Sequence, residues 1–147
     1  MAEPDPEQMA GSRQAPVGWA VPPRYVLATF TGRITPKPLV HGETYYRPVG
    51  AGSVPAGCWW TPTPPTPEDR AGLAIKGTWN SMTGLVEFTP AVGLVIPAWH
   101  GSAAPQAVIM ADGRPGYLRG GDEVIWVPWG TLSKETGDFT IRPLRDI

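Results

Sequence analysis

Two adjacent carboxylates near the end of the chain are the residues best suited to do chemistry. Asp122 and Glu123 follow the glycine pair Gly120 and Gly121 and precede the apolar run VIWV. Glycine lets a ligand approach the backbone closely, and a carboxylate fixed at a strand edge can stabilise positive charge or move a proton. The alternative is structural, because a strand that borders a core also begins with a polar residue that water can reach. The rest of the chain has to separate these two interpretations.

Arg47, which lies earlier in the chain, could supply the opposite charge. Arg47 follows Tyr45 and Tyr46 at the end of a predicted short strand and precedes Pro48 and a glycine-containing loop. Its planar fork of donors fits phosphate or carboxylate groups, so the position predicts an anion site at the mouth of a strand. Taken alone, Arg47 is equally compatible with a surface salt bridge.

The other reactive side chains are sparse. His41 and His100 have no nearby nucleophile or ligand cluster in the sequence, which favours structural or surface roles for both. Cys58 is the single cysteine, which excludes an intramolecular disulfide and a multi-cysteine zinc site, and packing is its expected role. Trp59 and Trp60 are adjacent, so in a strand they face opposite sides, and at least one should line a cleft or an interface.

Composition and length indicate one β-rich domain. The chain has 147 residues, which fits a single core. Glycine (18) and proline (19) are abundant and charged residues make up only 17%, a balance that favours strands, turns and ordered loops. The net charge of −1 gives no general attraction to nucleic acid or to an anionic membrane. The first residues lack the pattern of a secretory signal, and no apolar stretch is long enough to span a bilayer.

Turn signals alternate with β-branched and aromatic runs, which predicts an α+β fold that is mainly β. The predicted strands include YVLATFTG, ETYYRPVG, GCWWT, LVEFTP, EVIWV and DFTIRPL. One short helix is expected, capped by Thr66, with Pro67 at its first position and a glycine stop at Gly77. Residues 1–23 are expected to form a flexible lead-in or linker remnant, and residues 24–147 a single domain.

Strand periodicity sets the surroundings of the acid. If Glu123 begins a strand, Ile125 shares its face while Val124 and Trp126 line the other face. A buried carboxylate without a partner is costly, so a basic group is expected close by. The candidates are Arg47, Arg119 and His41.

The order of these signals resembles a known family. Along the chain they are YYRPVG, GCWWT, WNSMTG with LVEFTP, AWHGSAAPQ and GYLRGGDEVIWVP. This series is similar to the small C-terminal toxin domains of bacterial polymorphic and type VI secretion effectors that share the ADP-ribosyltransferase fold, including the NAD-glycohydrolase toxins. The resemblance covers about residues 44–128, and its most specific part is the loop GSAAPQ followed by LRGGDE and an aromatic-rich strand. It implies split antiparallel sheets with one or two short helices.

The resemblance also implies roles for individual residues. Arg47 matches the first-strand arginine that holds the phosphates or ribose of NAD, and Glu123 matches the acidic or amide residue of the late strand; both are expected to be catalytic. The implied substrate-binding residues are Tyr46, Trp60, Thr61, Gln106, Gly120 and Gly121.

The implied activity is that of a NAD-consuming toxin. Breaking the bond between nicotinamide and ribose passes through a sugar cation, which the carboxylate of Glu123 would stabilise. Transfer of ADP-ribose to a protein or RNA of the target cell is the leading expectation, because a carboxylate at this position can also activate an acceptor. NAD(P) glycohydrolysis is the alternative. NAD is the expected substrate, and no metal is expected.

Partners and location follow from the same resemblance. It implies a secreted effector that acts in the cytoplasm of the target cell in interbacterial competition, and a cognate immunity protein that covers the cleft. No membrane and no disulfide partner are expected. Two further hypotheses remain: a non-enzymatic β-rich binding module that uses exposed tryptophans, and a nucleotide pyrophosphokinase on the same toxin fold. Only Asp122 and Glu123 hint at the magnesium site that the last would need.

Overall fold

The computed structural model describes residues 18–50, 53–75, 80, 82–110 and 112–144, and the structural statements below concern these residues. The helices are α1 (Arg24–Leu27) and α2 (Arg70–Leu73), with a 3₁₀ turn at Pro67–Asp69 before α2. The strands are β1 (Phe30–Pro36), β2 (Leu39–Val40), β3 (Tyr45–Val49), β4 (Trp59–Trp60), β5 (Gly84–Pro90), β6 (Val95–Ile96), β7 (Trp99–Ala103), β8 (Gln106–Ile109), β9 (Pro115–Leu118), β10 (Glu123–Trp126) and β11 (Gly137–Pro143). Residues 1–17 of the expected lead-in and the expected helix stop at Gly77 lie outside the described residues.

A four-stranded antiparallel sheet has the order β1-β7-β10-β4. Glu123 at the start of β10 is exposed, and the rest of this strand is buried. A strand covered on both faces consists of consecutive apolar residues rather than alternating ones, which explains the run VIW. The central residue Ile125 lies opposite His100 of β7 and opposite Trp60 of β4. The tryptophan pair is therefore held directly against the strand that begins with the acid.

A three-stranded antiparallel sheet, β11-β5-β3, lies beside the first. The two sheets are joined by a bridge in which the backbone N–H of Tyr46 donates to the carbonyl of Thr61 at 3.0 Å and the N–H of Thr61 donates to the carbonyl of Tyr46 at 2.7 Å. The strand that carries Arg47 thus lies next to the strand of the tryptophan pair. Two smaller antiparallel pairs, β2-β6 and β8-β9, complete the sheets of the described chain.

Each face of the four-stranded sheet packs against its own apolar cluster. The cluster shared with the three-stranded sheet includes Leu39, Tyr45, Trp60, Phe88, Ile125 and Val127. The cluster on the opposite face includes Val26, Phe30, Leu73, Trp99, Val124 and Trp126, with Trp59 packed against it. The prediction that Val124 and Ile125 face opposite sides is therefore confirmed, and so is the same prediction for the two adjacent tryptophans.

The predicted strand YVLATFTG is wrong in its first half, which forms α1. The backbone N–H groups of Val26 and Leu27 both donate to the carbonyl of Pro23 at 3.0 Å, and the hydroxyl of Thr29 donates to the carbonyl of Val26 at 2.5 Å. These local bonds form one helical turn that buries Val26 and pairs its backbone groups without a neighbouring strand. The β-rich composition of the segment is therefore overridden, and the strand begins only at Phe30.

The predicted helix, which is α2, is shorter than expected. It ends at Leu73, and Ala74 follows in the left-handed conformation with φ of +55°. The expected side-chain cap by Thr66 is also wrong, because here the carboxylate of Asp69 accepts a hydrogen bond from the backbone N–H of Thr66 at 2.7 Å. The side chain three positions into the turn thus satisfies the free N–H, which is one half of a capping box.

The fold class is confirmed as α+β and mainly β, with few, short helices. Residues 18–23, expected to be part of the lead-in, lie against the body of the domain: the indole N–H of Trp99 donates to the carbonyl of Ala20 at 3.2 Å, and the rings of Trp19 and Trp99 meet edge to face at 6.4 Å. Within the described ranges, no helix has the length and apolar character needed to cross a membrane.

Candidate functional site

A cleft of about 410 Å³ lies where the two sheets meet the helices. This volume lies within the range of small-molecule sites, and most of its wall is apolar or aromatic. The polar side chains that line it are Thr29, Arg47, Ser53, Thr61, Asn80 and Gln106, and its aromatic ones are Tyr25, Trp59 and Trp60. No carboxylate is found among the described residues of this wall.

Arg47 places a half-buried positive charge in the cleft. Its Nε donates to the carbonyl of Val54 at 3.1 Å, and its Nη1 donates to the carbonyl of Trp59 at 3.3 Å. Burial lowers the pKa of Arg47, and the nearby Cys58 acts in the opposite direction. None of the ion pairs found among the described residues involves this arginine. The guanidinium is therefore partly desolvated and has no anionic partner among the described residues, which leaves its charge available to a bound anion.

The loop after β3 is built to accommodate this guanidinium. A Cβ atom at Gly57 would overlap Cζ and Nη2 of Arg47, so a side chain at this position would displace the guanidinium. The neighbouring Cys58 is half-buried, and burial raises the pKa of its thiol. The thiol is thus held in its neutral form, in keeping with the packing role expected for it.

The tryptophan pair contributes to the cleft unequally. Trp60 is 1% exposed, its indole N–H donates to the carbonyl of Gly57 at 2.9 Å, and its ring packs in the core between the sheets. Trp59 is half-buried, and its ring lies 5.7 Å from that of Phe30. Trp60 thus forms part of the cleft floor, and Trp59 is the tryptophan that can present an aromatic face to a ligand.

Two polar groups in the cleft have different capacities. The hydroxyl of buried Thr61 lies 2.7 Å from the carbonyl of Thr63 and 3.3 Å from that of Tyr46, so its hydrogen is used inside the protein and its oxygen can only accept from a ligand. Gln106, the first residue of β8, makes no side-chain hydrogen bond with the described part of the chain. Its amide is free to donate to a ligand and to accept from one.

Glu123 does not line the cleft, although its strand neighbour Val124 does. Its carboxylate Oε2 lies 2.7 Å from Nδ1 of His100, and the side chains are 45% and 32% exposed, respectively. The expected partners Arg47, Arg119 and His41 are therefore wrong: the cross-strand register brings His100 to the acid instead. Arg119 lies 3.7 Å from the other acid, Asp122.

The acid and the arginine are also separated along the sheet. The guanidinium of Arg47 reaches the carbonyl of Trp59, and Trp59 lies opposite Trp126 at the far end of β10 from Glu123. A strand of this length spans roughly 10 Å at about 3.3 Å per residue. The structure thus brings neither side chain into contact with the other.

The two glycines before the acid have structural reasons of their own. Gly120 has φ of +69°, and a Cβ atom there would overlap the carbonyl oxygen of Ala103. The close approach at this position is made by the protein's own backbone. Gly121 has φ of +97° and open space around it, apart from a guanidinium nitrogen of Arg119 at 3.7 Å. The turn requires glycine at both positions, because residues that carry a side chain rarely adopt such positive φ angles.

Of the residues expected at the site, the cleft brings together Arg47, Trp60, Thr61 and Gln106, whereas Tyr46, Gly120, Gly121 and Glu123 lie outside its wall. Sequence reasoning missed Tyr25 and Asn80, which also line it. Asn80 lies in the segment WNSMTG, and its polar amide could have marked it as a candidate cleft residue. Tyr25 had no such signal, because its exposure depends on the unexpected helix α1.

The described residues contain no group of three or more histidine, cysteine or acidic side chains that could hold a metal ion. The arrangement is thus that of a partly apolar cleft with one unpaired cation, an aromatic wall and a few hydrogen-bonding groups. No protein-family model matches the chain, and no curated protein matches it either.

Proposed function

We propose that this domain binds NAD in the cleft, with the pyrophosphate at Arg47, and cleaves the bond between nicotinamide and ribose. Transfer of the ADP-ribose group to a macromolecule is the leading form of the reaction, and hydrolysis is the same cleavage with water as the acceptor. The observation that carries the proposal is the half-buried guanidinium of Arg47 in the cleft, which has no anionic partner among the described residues.

The chemistry of the cleft fits a dinucleotide. A guanidinium fork binds phosphate oxygens through two parallel hydrogen bonds, and such bonds are stronger than neutral ones. Trp59 offers a ring face for a base, and the Thr61 oxygen and the Gln106 amide can pair with ribose hydroxyls or with a carboxamide. The apolar remainder of the wall excludes water and so strengthens the interaction between charges.

The order of strands supports an ADP-ribosyltransferase-like arrangement. The strand with Arg47 is bridged to the segment with Thr61, and this segment follows the strand that pairs with β10, which begins at Glu123. The arginine lies on β3, the acid lies on β10, and the hydroxyl lies directly after β4, where the bridge joins the two antiparallel sheets. The family resemblance of the sequence implies this combination of features.

Glu123 is the group assigned to the developing sugar cation. It begins the strand whose next residue, Val124, lines the cleft, and its own carboxylate lies outside that wall, paired with His100. The reaction needs a negative charge near the ribose, since the transition state carries positive charge on the sugar. In this proposal the carboxylate acts on the ribose from outside the described wall of the cleft, and a Glu123→Gln variant measures its contribution.

The test is nicotinamide release from NAD by the purified protein, with and without bacterial lysate. Arg47→Gln should weaken binding of ADP-ribose and lower nicotinamide release, and Glu123→Gln should abolish release while binding persists. Arg114→Gln is the matched control, because Arg114 is exposed, pairs with Asp112 and lies outside the cleft. Release that does not need lysate would assign hydrolysis. No nicotinamide release and no binding of ADP-ribose would refute the proposal.

A non-enzymatic binding module is the second candidate, and one observation favours it: no carboxylate lines the described wall of the cleft. Such a module would bind a nucleotide or a similar anion at Arg47 and release no nicotinamide. In that case Arg47→Gln abolishes binding, whereas Glu123→Gln leaves every measured property unchanged. The pair of variants therefore separates the two candidates in a single set of assays.

We further propose that the domain acts as a secreted effector in the cytoplasm of a target cell and is neutralised by an immunity protein that covers the cleft. A domain that consumes NAD depletes a cofactor of its own cell, so it would be expected to need such a partner. Expression in bacteria should therefore impair growth, and Glu123→Gln should relieve the effect. Normal growth with abundant, folded wild-type protein would count against this part of the proposal.

A further inference from the structure

An imidazole and a carboxylate are in direct contact at the start of β10. Nδ1 of His100 lies 2.7 Å from Oε2 of Glu123, and the two side chains are 32% and 45% exposed, respectively. An ionised carboxylate can only accept, so in the neutral imidazole the hydrogen is on Nδ1 and Nε2 has a free lone pair. Nε2 has no hydrogen-bond partner in the described part of the chain. The contact thus fixes the tautomer in which Nε2 can take up a proton.

The register of the four-stranded sheet holds this pair in place. Glu123 lies opposite Ser102 of β7, and His100, two residues earlier on the same strand, lies opposite Ile125. Positions two apart on a strand share a face, and diagonal neighbours across an antiparallel pair are within reach of long side chains. On its other side β7 pairs with β1, where Thr35 lies opposite His100. The backbone of His100 is therefore fixed by strands on both sides, while its side chain remains accessible to solvent.

The two carboxylate oxygens of Glu123 have different surroundings. Oε2 is bonded to His100, whereas Oε1 has no partner among the residues that the structure describes. The proposed function assigns the negative charge of Glu123 to the sugar cation, and Oε1 is the oxygen that is free for this contact. The imidazole bonded to the other oxygen of the same carboxylate then lies beside the same sugar, where the acceptor has to arrive.

Resting on the proposed function, we infer that His100 is the general base of the reaction and that the acceptor is a hydroxyl group, of water or of an alcohol. A hydroxyl is a weak nucleophile until its proton is removed, so it is an acceptor that needs such a base. The bond between ribose and nicotinamide breaks, and its electron pair leaves with the ring nitrogen as neutral nicotinamide. A bond forms between the anomeric carbon and the acceptor oxygen, and the acceptor's proton passes to Nε2 of His100. The resulting imidazolium is paired with the Glu123 carboxylate and then gives the proton to water.

The test compares acceptors that need a base with one that does not. Nicotinamide release from NAD is measured in buffer alone, with bacterial lysate, with methanol and with azide, and methyl ADP-ribose as a product distinguishes an alcohol from water. His100→Asn keeps an N–H donor near the position of Nδ1 but lacks the base at Nε2, so it separates proton transfer from the placement of Glu123. His100→Asn and His100→Ala should both release nicotinamide roughly 100- to 10,000-fold more slowly than the wild type with hydroxyl acceptors. Azide is already an anion and should restore release in both variants, with ADP-ribosyl azide as the product.

His41→Ala is the matched control, because His41 is the other histidine of the chain and its Nδ1 lies 2.9 Å from the carbonyl of Pro90. It should leave nicotinamide release unchanged, and melting curves and ADP-ribose binding should show that each variant is folded and binds the ligand. Wild-type rates in His100→Asn, or slow release that azide does not restore, would overturn the role of His100 while leaving NAD cleavage intact. A wild-type protein that releases no nicotinamide with any of these acceptors would instead overturn the proposed function, and this inference with it.

Discussion

Replacement of Arg47 by methionine should separate the contribution of this half-buried cation to stability from its contribution to ligand binding. In the free protein, the substitution removes the bonds to the carbonyls of Val54 and Trp59 but also removes a half-buried charge that has no acidic partner among the described residues. Hydrogen bonds from charged groups contribute roughly 1.5–3 kcal/mol each, the desolvation penalty of an ion is about the same size as two of them, and solvent reduces both at a half-buried site. The free energy of unfolding of Arg47→Met should therefore stay within roughly 1 kcal/mol of the wild type.

The effect on ligand binding should be much larger. Loss of a charge-assisted fork on a phosphate group weakens binding by roughly 100-fold. At a concentration of ADP-ribose of about 100 times the wild-type Kd, the ligand stabilises the wild-type protein by about 2.7 kcal/mol. At the same concentration the variant gains only about 0.4 kcal/mol. For a domain of this length, these values correspond to rises in Tm of roughly 5–11 °C and roughly 1–2 °C.

Thermal unfolding followed by calorimetry, with and without ADP-ribose, measures both quantities in one series. ADP-ribose is chosen because it keeps the pyrophosphate and cannot lose nicotinamide during the scan. Arg114→Met is the matched control, since Arg114 is exposed and pairs with Asp112. Arg47→Lys provides a second variant, which keeps the charge and lacks the fork.

The reasoning is refuted if Arg47→Met retains the full rise in Tm with ADP-ribose. It is also refuted if the free variant loses several kcal/mol while Arg47→Lys is fully stable, because Arg47 would then be an ordinary structural cation. An intermediate shift for Arg47→Lys is expected, since an ammonium binds phosphate as a point charge.

Three further substitutions test the structure around the site. Gly120→Ala should lower the free energy of unfolding by more than Gly113→Ala, which has a similar positive φ (+84° against +69°) but open space at the Cβ position; equal losses in urea titrations would contradict this. Trp60→Phe should destabilise the protein by roughly 1–3 kcal/mol, because Trp60 packs between the sheets and its indole N–H donates to the carbonyl of Gly57; wild-type stability of this variant in urea titrations would contradict this. Burial, reinforced by Glu43, raises the pKa of Tyr45 above 10, its ordinary value. The stability that the neutral phenol contributes is therefore complete below pH 10 and decreases as the pH rises through the pKa of the folded state. Tyr45→Phe should show a smaller decline above pH 10 in pH-dependent melts, and an identical decline would disprove the link.

Strand content could be predicted from the sequence wherever apolar runs are bounded by turn residues. The runs YYRPV, WW, LVEFTP, EVIW and DFTIRP all lie in strands, and the opposite facing of Val124 and Ile125 follows from the period of a strand alone. These features could be predicted because strand burial follows the order of apolar and polar side chains along consecutive residues.

The helical turn before β1 could not be predicted in this way. Residues 25–29 have a composition typical of a strand, and the carbonyl of Pro23 decides the outcome by accepting two backbone hydrogen bonds. Tyr25 reaches the cleft only through this turn. A residue whose place depends on a single local hydrogen-bond pattern gives little signal in composition or periodicity.

The candidate site was predictable in part, for a related reason. Arg47 and Thr61 lie on segments joined by a backbone bridge, and both line the cleft. The partner of Glu123 was not predictable, because cross-strand register decides it: β7 and β10 align so that His100 reaches the acid from the neighbouring strand. Register between segments distant in sequence depends on the packing of the whole sheet.

The bridge between Tyr46 and Thr61 gives the domain a seam. Among the described strands, this pair of backbone hydrogen bonds is the ladder contact that joins the larger sheet to the smaller one, and Thr61 also faces the cleft. A ligand bound between Arg47 and Thr61 would contact both sheets and oppose their separation at the bridge. Hydrogen exchange at the backbone amides of Tyr46 and Thr61 should therefore slow when the cleft is occupied, and it would report binding of an unlabelled ligand.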